Sequence, residues 1–210
     1  MKASIKKQEV KFIVTDEYRE WIALIKDRIR NSQIKASIKV NRELLELYWH
    51  IGADIVNRQK HSKWGEGLLR QMSIDLKKTF PDMAGFSETN LKTMRLWYRF
   101  YAKAVNGQQV VDELRSDDIF RLITTIPWGH NQRIIFKCKD VREAVFYAQY
   151  TLENNWSRDV LEHQIESGLY ERKGKAITNF KDKLPANASD LAVQTLKDPY
   201  SFDFLTMRDD

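Results

Sequence analysis

The sequence predicts an all-α chain, a multi-helix bundle with helix-turn-helix-like elements, and three observations carry that expectation. Glycine (8) and proline (4) are scarce among 210 residues, which disfavours a turn-rich sandwich or barrel and favours long helices with short joints. Apolar residues recur at spacings of roughly three or four, the period of a helix that buries one face. Cap residues stand where those stripes begin: Thr15 before Asp16 and Glu17, Ser87 before Glu88, and Ser157 before Arg158.

Thr15 opens a helix whose apolar stripe is Tyr18, Trp21, Ile22, Ile25 and Ile29. After Asn31-Ser32 the stripe resumes with Ile38, Asn41, Leu44, Leu45, Tyr48, Ile51 and Ile55 and reaches about Arg58, as one bent helix or as two. Trp64-Gly65 marks a joint. Leu68, Leu69, Met72 and Leu76 form the next helix, closed by Phe80-Pro81 because proline cannot continue it. Gly85-Phe86-Ser87 restarts the chain, and a helix follows to about Ala104. The stretch 110–115 fits more than one conformation, and Asp117 opens a short helix that ends before Pro127. Three more helices are expected over 131–137, 141–152 and 158–169. From Glu171 the periodicity fails and Gly, Pro, Asn and Lys accumulate. The expected organisation is a basic tail over 1–14, a helical domain over 15–170, a loop over 171–189, and an apolar docking segment over 190–210.

Hydrophobic residues make up 42% of the chain, ample for a core, and the lone Cys138 excludes an internal disulfide framework and fits a reducing compartment. No apolar run approaches the roughly 20 residues that span a bilayer, and the basic start is too short in apolar residues for a secretory signal. The expectation is a cytoplasmic protein with no membrane partner.

The net charge of +6 is unevenly placed. Between Asn57 and Val105 stand ten basic residues against four acids, so this one segment carries the whole excess and the rest of the chain is balanced. Such a segment is the footprint of a surface that faces a polyanion. Within it, the helix after Ser87 divides by chemistry. Leu91, Met94, Trp97, Tyr98 and Tyr101 fall on one side, and Lys92, Arg95, Arg99 and Lys103 on the other. Like charges along one ridge do not help a helix, whereas a phosphate backbone gains from each neutralised phosphate. Ser87, Thr89 and Asn90 at its amino end suit a phosphate or a base edge. Arg70, Lys77 and Lys78 on the preceding helix would then lie across the backbone in a helix-turn-helix-like arrangement. The pair formed by 141–152 and 158–169 has a tighter joint at Asn154-Asn155-Trp156. Its Asp159, Glu162 and Glu166 would repel phosphate, so its role reads as structural, with Trp156 in the core.

Catalytic patterns fail in turn. His50, His61, His130 and His163 lack the paired spacing of a metal site, and there is no phosphate-binding glycine loop. Pro81-Asp82 and Glu171-Arg172-Lys173 imitate the letters of a PD-(D/E)xK nuclease signature but lie far apart with no strands between them. No cofactor is expected.

The stretch LYWHIGADIVNRQKHSKWGEGLLRQMSIDLKKTFPDMAGFSETNLKTMRLWYRFY (47–101) resembles the amino-terminal domain of the YhcG family. IPWGHN (126–131), NNWSRDVLEHQIESGLYER (154–172 in part) and DLAVQTLKDPYSFDFL (190–205) resemble it too, in the same order. The resemblance implies a helical domain that precedes a PD-(D/E)xK catalytic domain in predicted nucleases. The family pattern continues beyond DPYSFDFL, whereas this chain stops at Asp210, so the resemblance transfers no catalytic residue and the chain is not expected to be an enzyme. Two functions follow as expectations. One is a DNA-binding or targeting domain working through Ser87 to Lys103. The other is an interaction or dimerisation module that holds a nuclease or restriction-modification subunit, or a second copy, through Leu96, Phe100, Phe202 and Phe204.

Overall fold

The computed structural model describes residues 14–61, 67–107, 111 and 114–173. Among them the chain is all-α. Its eight helices are α1 (Asp16–His61), α2 (Gly67–Thr79), α3 (Glu88–Val105), α4 (Ser116–Thr125), α5 (Trp128–Lys137), α6 (Val141–Asn154), α7 (Arg158–Glu166) and α8 (Leu169–Arg172). A single 3-10 turn, Ala84–Phe86, precedes α3, and Val111 and Leu114 form an isolated bridge. No described helix is long and apolar enough to cross a membrane.

The chain divides into two compact units, Met1–Gln33 and Ile34–Asp210. In the first, Thr15 Oγ1 accepts from the Tyr18 amide at 3.2 Å, and Asp16 and Glu17 occupy the positive end of the helix. Asn31 and Ser32 stay helical and exposed, so the two stripes belong to one helix. Their propensity cost, below about 1 kcal/mol each, is too small to break it.

The second unit holds the core. Leu44, Leu45, Tyr48, Trp49 and Ile55 of α1 meet Leu91, Met94, Trp97 and Tyr101 of α3, together with Ile119, Leu122 and Ile123 of α4 and Trp128 and Ile134 of α5. Helix α6 is buried along most of its length, from Val141 through Ala144–Ala148 to Leu152. The large rings meet edge to face: Trp128 lies 5.1 Å from Tyr48 and 5.3 Å from Trp97, which in turn lies 5.3 Å from Trp49. Each such ring removes roughly 150–250 Å² from water, the largest single contributions to a core.

Boundaries differ from expectation in three places. Helix α5 begins at Trp128 because Pro127, which has no N–H to leave unpaired, serves as its cap. The helix expected over 158–169 breaks after Glu166, where Gly168 takes φ 67°, and α8 follows through Arg172, so the first residues assigned to a loop are helical. Trp156 is half-buried at the rim of the core, 5.8 Å from the Tyr150 ring, and Asn155 makes the turn before it at φ 51°. The tail 1–13, the Trp64-Gly65 joint, most of 110–115, and the segments 174–189 and 190–210 lie outside the described residues.

Cys138 is buried, and burial, followed by the nearby Glu143 and Asp140, pushes its thiol far above the ordinary range. Because the thiolate is the reactive species, iodoacetamide should label Cys138 at neutral pH only after denaturation. Intact-mass spectrometry of native against urea-treated protein checks this, and rapid native labelling would contradict it.

Candidate nucleic-acid interface

The α2–α3 joint is fixed by short polar contacts. Ser73 Oγ donates to the Phe86 carbonyl at 2.8 Å, and Phe80 packs 6.0 Å from Phe86. Ser87 caps α3 by accepting from the Asn90 amide at 3.2 Å. With Leu91, Met94, Trp97 and Tyr101 buried, the opposite face of α3 is left to water. Lys92, Arg99 and Lys103 stand exposed there, and Leu96 is exposed among them.

Local electrostatics modify this ridge. Lys92 pairs with Glu88 at 2.7 Å, one turn back, and that hydrogen bond holds the Glu88 carboxyl below the usual range. Arg70 of α2 adds a smaller pull on the same carboxylate, which places it beside the amino end of α3. Arg95 is half-buried and donates to Gln59 Oε1 of α1 at 3.0 Å. Arg99 and Lys103 have no ion pair among the described residues.

Two of the expected amino-end contacts are corrected. Asn90 is buried: its amide donates to the Gly85 carbonyl at 2.6 Å, while Oδ1 accepts from Trp128 Nε1 at 2.8 Å and from Gln132 Nε2 at 3.3 Å. It is consumed by the fold and cannot read a base. The Ser87 hydroxyl is engaged as the cap. Thr89 is exposed. Lys77 and Lys78 are exposed in the last turn of α2. Of the interface candidates, Leu96 is exposed, Phe100 is half-buried against the core, and Phe202 and Phe204 lie outside the described residues. Sequence reasoning missed Gln59, which holds Arg95 from 36 positions away and offers no local signal.

The second helix pair is structural in its contacts. Glu162 of α7 pairs with Arg133 at 3.2 Å and Lys137 at 2.6 Å, and Glu166 takes Lys137 at 2.5 Å, tying α7 to α5. His130, buried at the start of α5, donates from Nε2 to the Trp156 carbonyl at 2.9 Å. A groove of about 430 Å³ between α1 and α2 is lined by Ile55, Leu68, Met72 and Leu76, but Asp54 and Asp75 also line it and would repel phosphate.

These features define an all-helical domain with one exposed basic ridge. A family comparison makes the assignment narrower: the model of the DUF1016 N-terminal domain matches residues 24–172, and the chain belongs to that family. It is also 27% identical over 195 residues to the Escherichia coli (strain K12) protein named "Putative nuclease YhcG", an alignment covering 81% of this chain and 51% of that protein. The chain therefore spans about half the length of this relative. No solved structure matches it.

Proposed function

We propose that this chain is a non-catalytic nucleic-acid-binding domain that delivers a nuclease system of the YhcG type to duplex DNA. The observation that carries this reading is the exposed row Lys92, Arg99 and Lys103 on α3, with Arg70 beside its amino end and no carboxylate but Glu88 interleaved on that face. With Asn90 buried and Ser87 engaged as a cap, the ridge offers cations and few base-reading groups. Binding is then driven by phosphate neutralisation, with steep salt dependence and little sequence preference. In this reading the chemistry belongs to a partner subunit or a separate catalytic domain.

Arg99→Glu with Lys103→Glu is the sharpest test, since both side chains are exposed and outside the described ion pairs, so the fold should be retained. Fluorescence-anisotropy titration of labelled duplex should show affinity at least about tenfold weaker in the double variant. The slope of log affinity against log salt should be shallower by about 2, one unit per lost phosphate contact. Wild-type protein that binds no duplex at low salt would sink the reading. The same surface supports a second reading, a module that holds a nuclease or restriction-modification subunit, because Leu96 lies exposed in the middle of the ridge. Duplex binding that survives the double reversal favours this second reading.

A further inference from the structure

We infer that the first unit of the chain, the Asp16–Gln33 stretch of α1, is a self-association surface whose occupant is the same stretch of a second copy, running antiparallel. This rests on the first unit alone and is independent of the nucleic-acid reading. The stretch is one helix whose large apolar side chains are poorly covered: Trp21 is 56% exposed, Leu24 59% and Ile29 52%, with Val14 exposed just before it. Single exposed apolar residues are ordinary, but here Tyr18, Trp21, Ile22, Ile25 and Ile29 fall within an arc of about 100° on a helical wheel. A helix of this length without a packed face is marginal in water, so burying the stripe stabilises it.

Two features select a second copy in antiparallel sense. The first is spacing. Tyr18, Ile22, Ile25 and Ile29 are separated by four, three and four positions, a pattern that reads the same from either end. An antiparallel pair centred between Ala23 and Leu24 sets Tyr18 against the partner's Ile29 and Ile22 against the partner's Ile25, an isologous contact that closes on itself. The second is charge. Arg19 is held by Asp16 at 2.6 Å and Arg30 by Asp27 at 3.2 Å. The charges left over are Glu17 and Glu20 in the first half and Lys26 and Arg28 in the second. A parallel pair would set like charges side by side. The antiparallel pair sets the acidic half of each copy along the basic half of the other, with the helix dipoles opposed.

Sedimentation velocity of the full chain over a concentration series up to roughly 100 µM should show a reversible monomer–dimer equilibrium. Ile22→Glu, half-exposed and so unlikely to disturb the fold, should weaken the dimer at least about tenfold, with circular dichroism confirming retained helix. Glu20→Lys alone should also weaken it, whereas Glu20→Lys combined with Lys26→Glu should recover affinity, because each copy then presents opposite charge to the other's exchanged position. A parallel pair would gain nothing from the second change. A chain that stays monomeric, a dimer indifferent to Ile22→Glu, or a double charge exchange no tighter than the single one overturns the inference.

Discussion

Asn131→Ala should lower the stability of the chain by about 3 kcal/mol, and its melting temperature by roughly 6–12 °C. The reason lies at the end of α4. Pro127 has no amide hydrogen to continue the helix, so the last carbonyls of α4 need donors from elsewhere. Asn131 of α5 supplies them, donating through Nδ2 to the Ile123 carbonyl at 2.8 Å and the Ile126 carbonyl at 3.2 Å. Asn41 of α1 reaches the same helix end, donating to the Thr124 carbonyl at 3.2 Å and the Thr125 carbonyl at 3.3 Å. The other end of the Asn131 amide accepts from Trp97 Nε1 at 3.1 Å. Alanine at 131 strands the fully buried indole N–H and deprives α4 of a cap, and each buried unpaired group costs about 1–3 kcal/mol. Differential scanning calorimetry measures the loss, and Trp97→Phe with its double variant measures how much belongs to the indole bond. In that cycle the two single losses should sum to more than the double. A loss below about 1 kcal/mol for Asn131→Ala would mean that water or a shifted backbone replaces the amide.

The all-α class and most helix boundaries were legible because they depend on local chemistry. The inner face of α3 follows from spacing alone, and Ser87, Asp140 and Ser157 are caps that accept from an amide three residues on. The polar interior was harder to read. Asn90 stands four residues before Met94 on the stripe that continues to Trp97 and Tyr101, so its position pointed inward while its polarity suggested surface. What decides between them is Trp128, 38 residues away, whose indole needs an acceptor in the core. Arg95 shows the same limit: its place on the ridge is right by helical geometry, yet Gln59 of another helix draws it partly inward. Pairings across helices are set by packing, and a one-dimensional pattern carries no trace of them. The break at Gly168 did carry a local signal, a glycine one residue past the last turn of α7, and was overlooked because Leu169 continues the apolar spacing.

Gly52→Val is expected to destabilise the second unit by about 3 kcal/mol or more, against the usual direction for a glycine inside a helix. In an exposed helix interior, replacing glycine with alanine gains about 1 kcal/mol of backbone entropy. At Gly52 that gain is overwhelmed. A Cβ placed there would lie 2.5 Å from the Met94 carbonyl oxygen and 2.9 Å from the Tyr98 Cβ, both on α3. The nearest atom is backbone, so no rotamer change relieves the contact and the two helices must move apart. Separation would loosen the packing of Trp49 against Trp97 and against Tyr98, whose rings lie 5.3 Å and 4.8 Å from it. Gly52→Ala should fall between the two effects and remain destabilising, by about 1–3 kcal/mol. Gly67→Ala is the internal control: nothing lies within 4 Å of a Cβ at that position, the first residue of α2, so this change should be neutral or stabilise by up to about 1 kcal/mol. Urea denaturation followed by circular dichroism gives all three values on one scale, with an unchanged slope showing that the unfolded reference is the same. If Gly52→Ala proved as benign as Gly67→Ala, α1 and α3 would not be in close contact at Gly52, and the packing that aims the basic face of α3 outward would need a different origin.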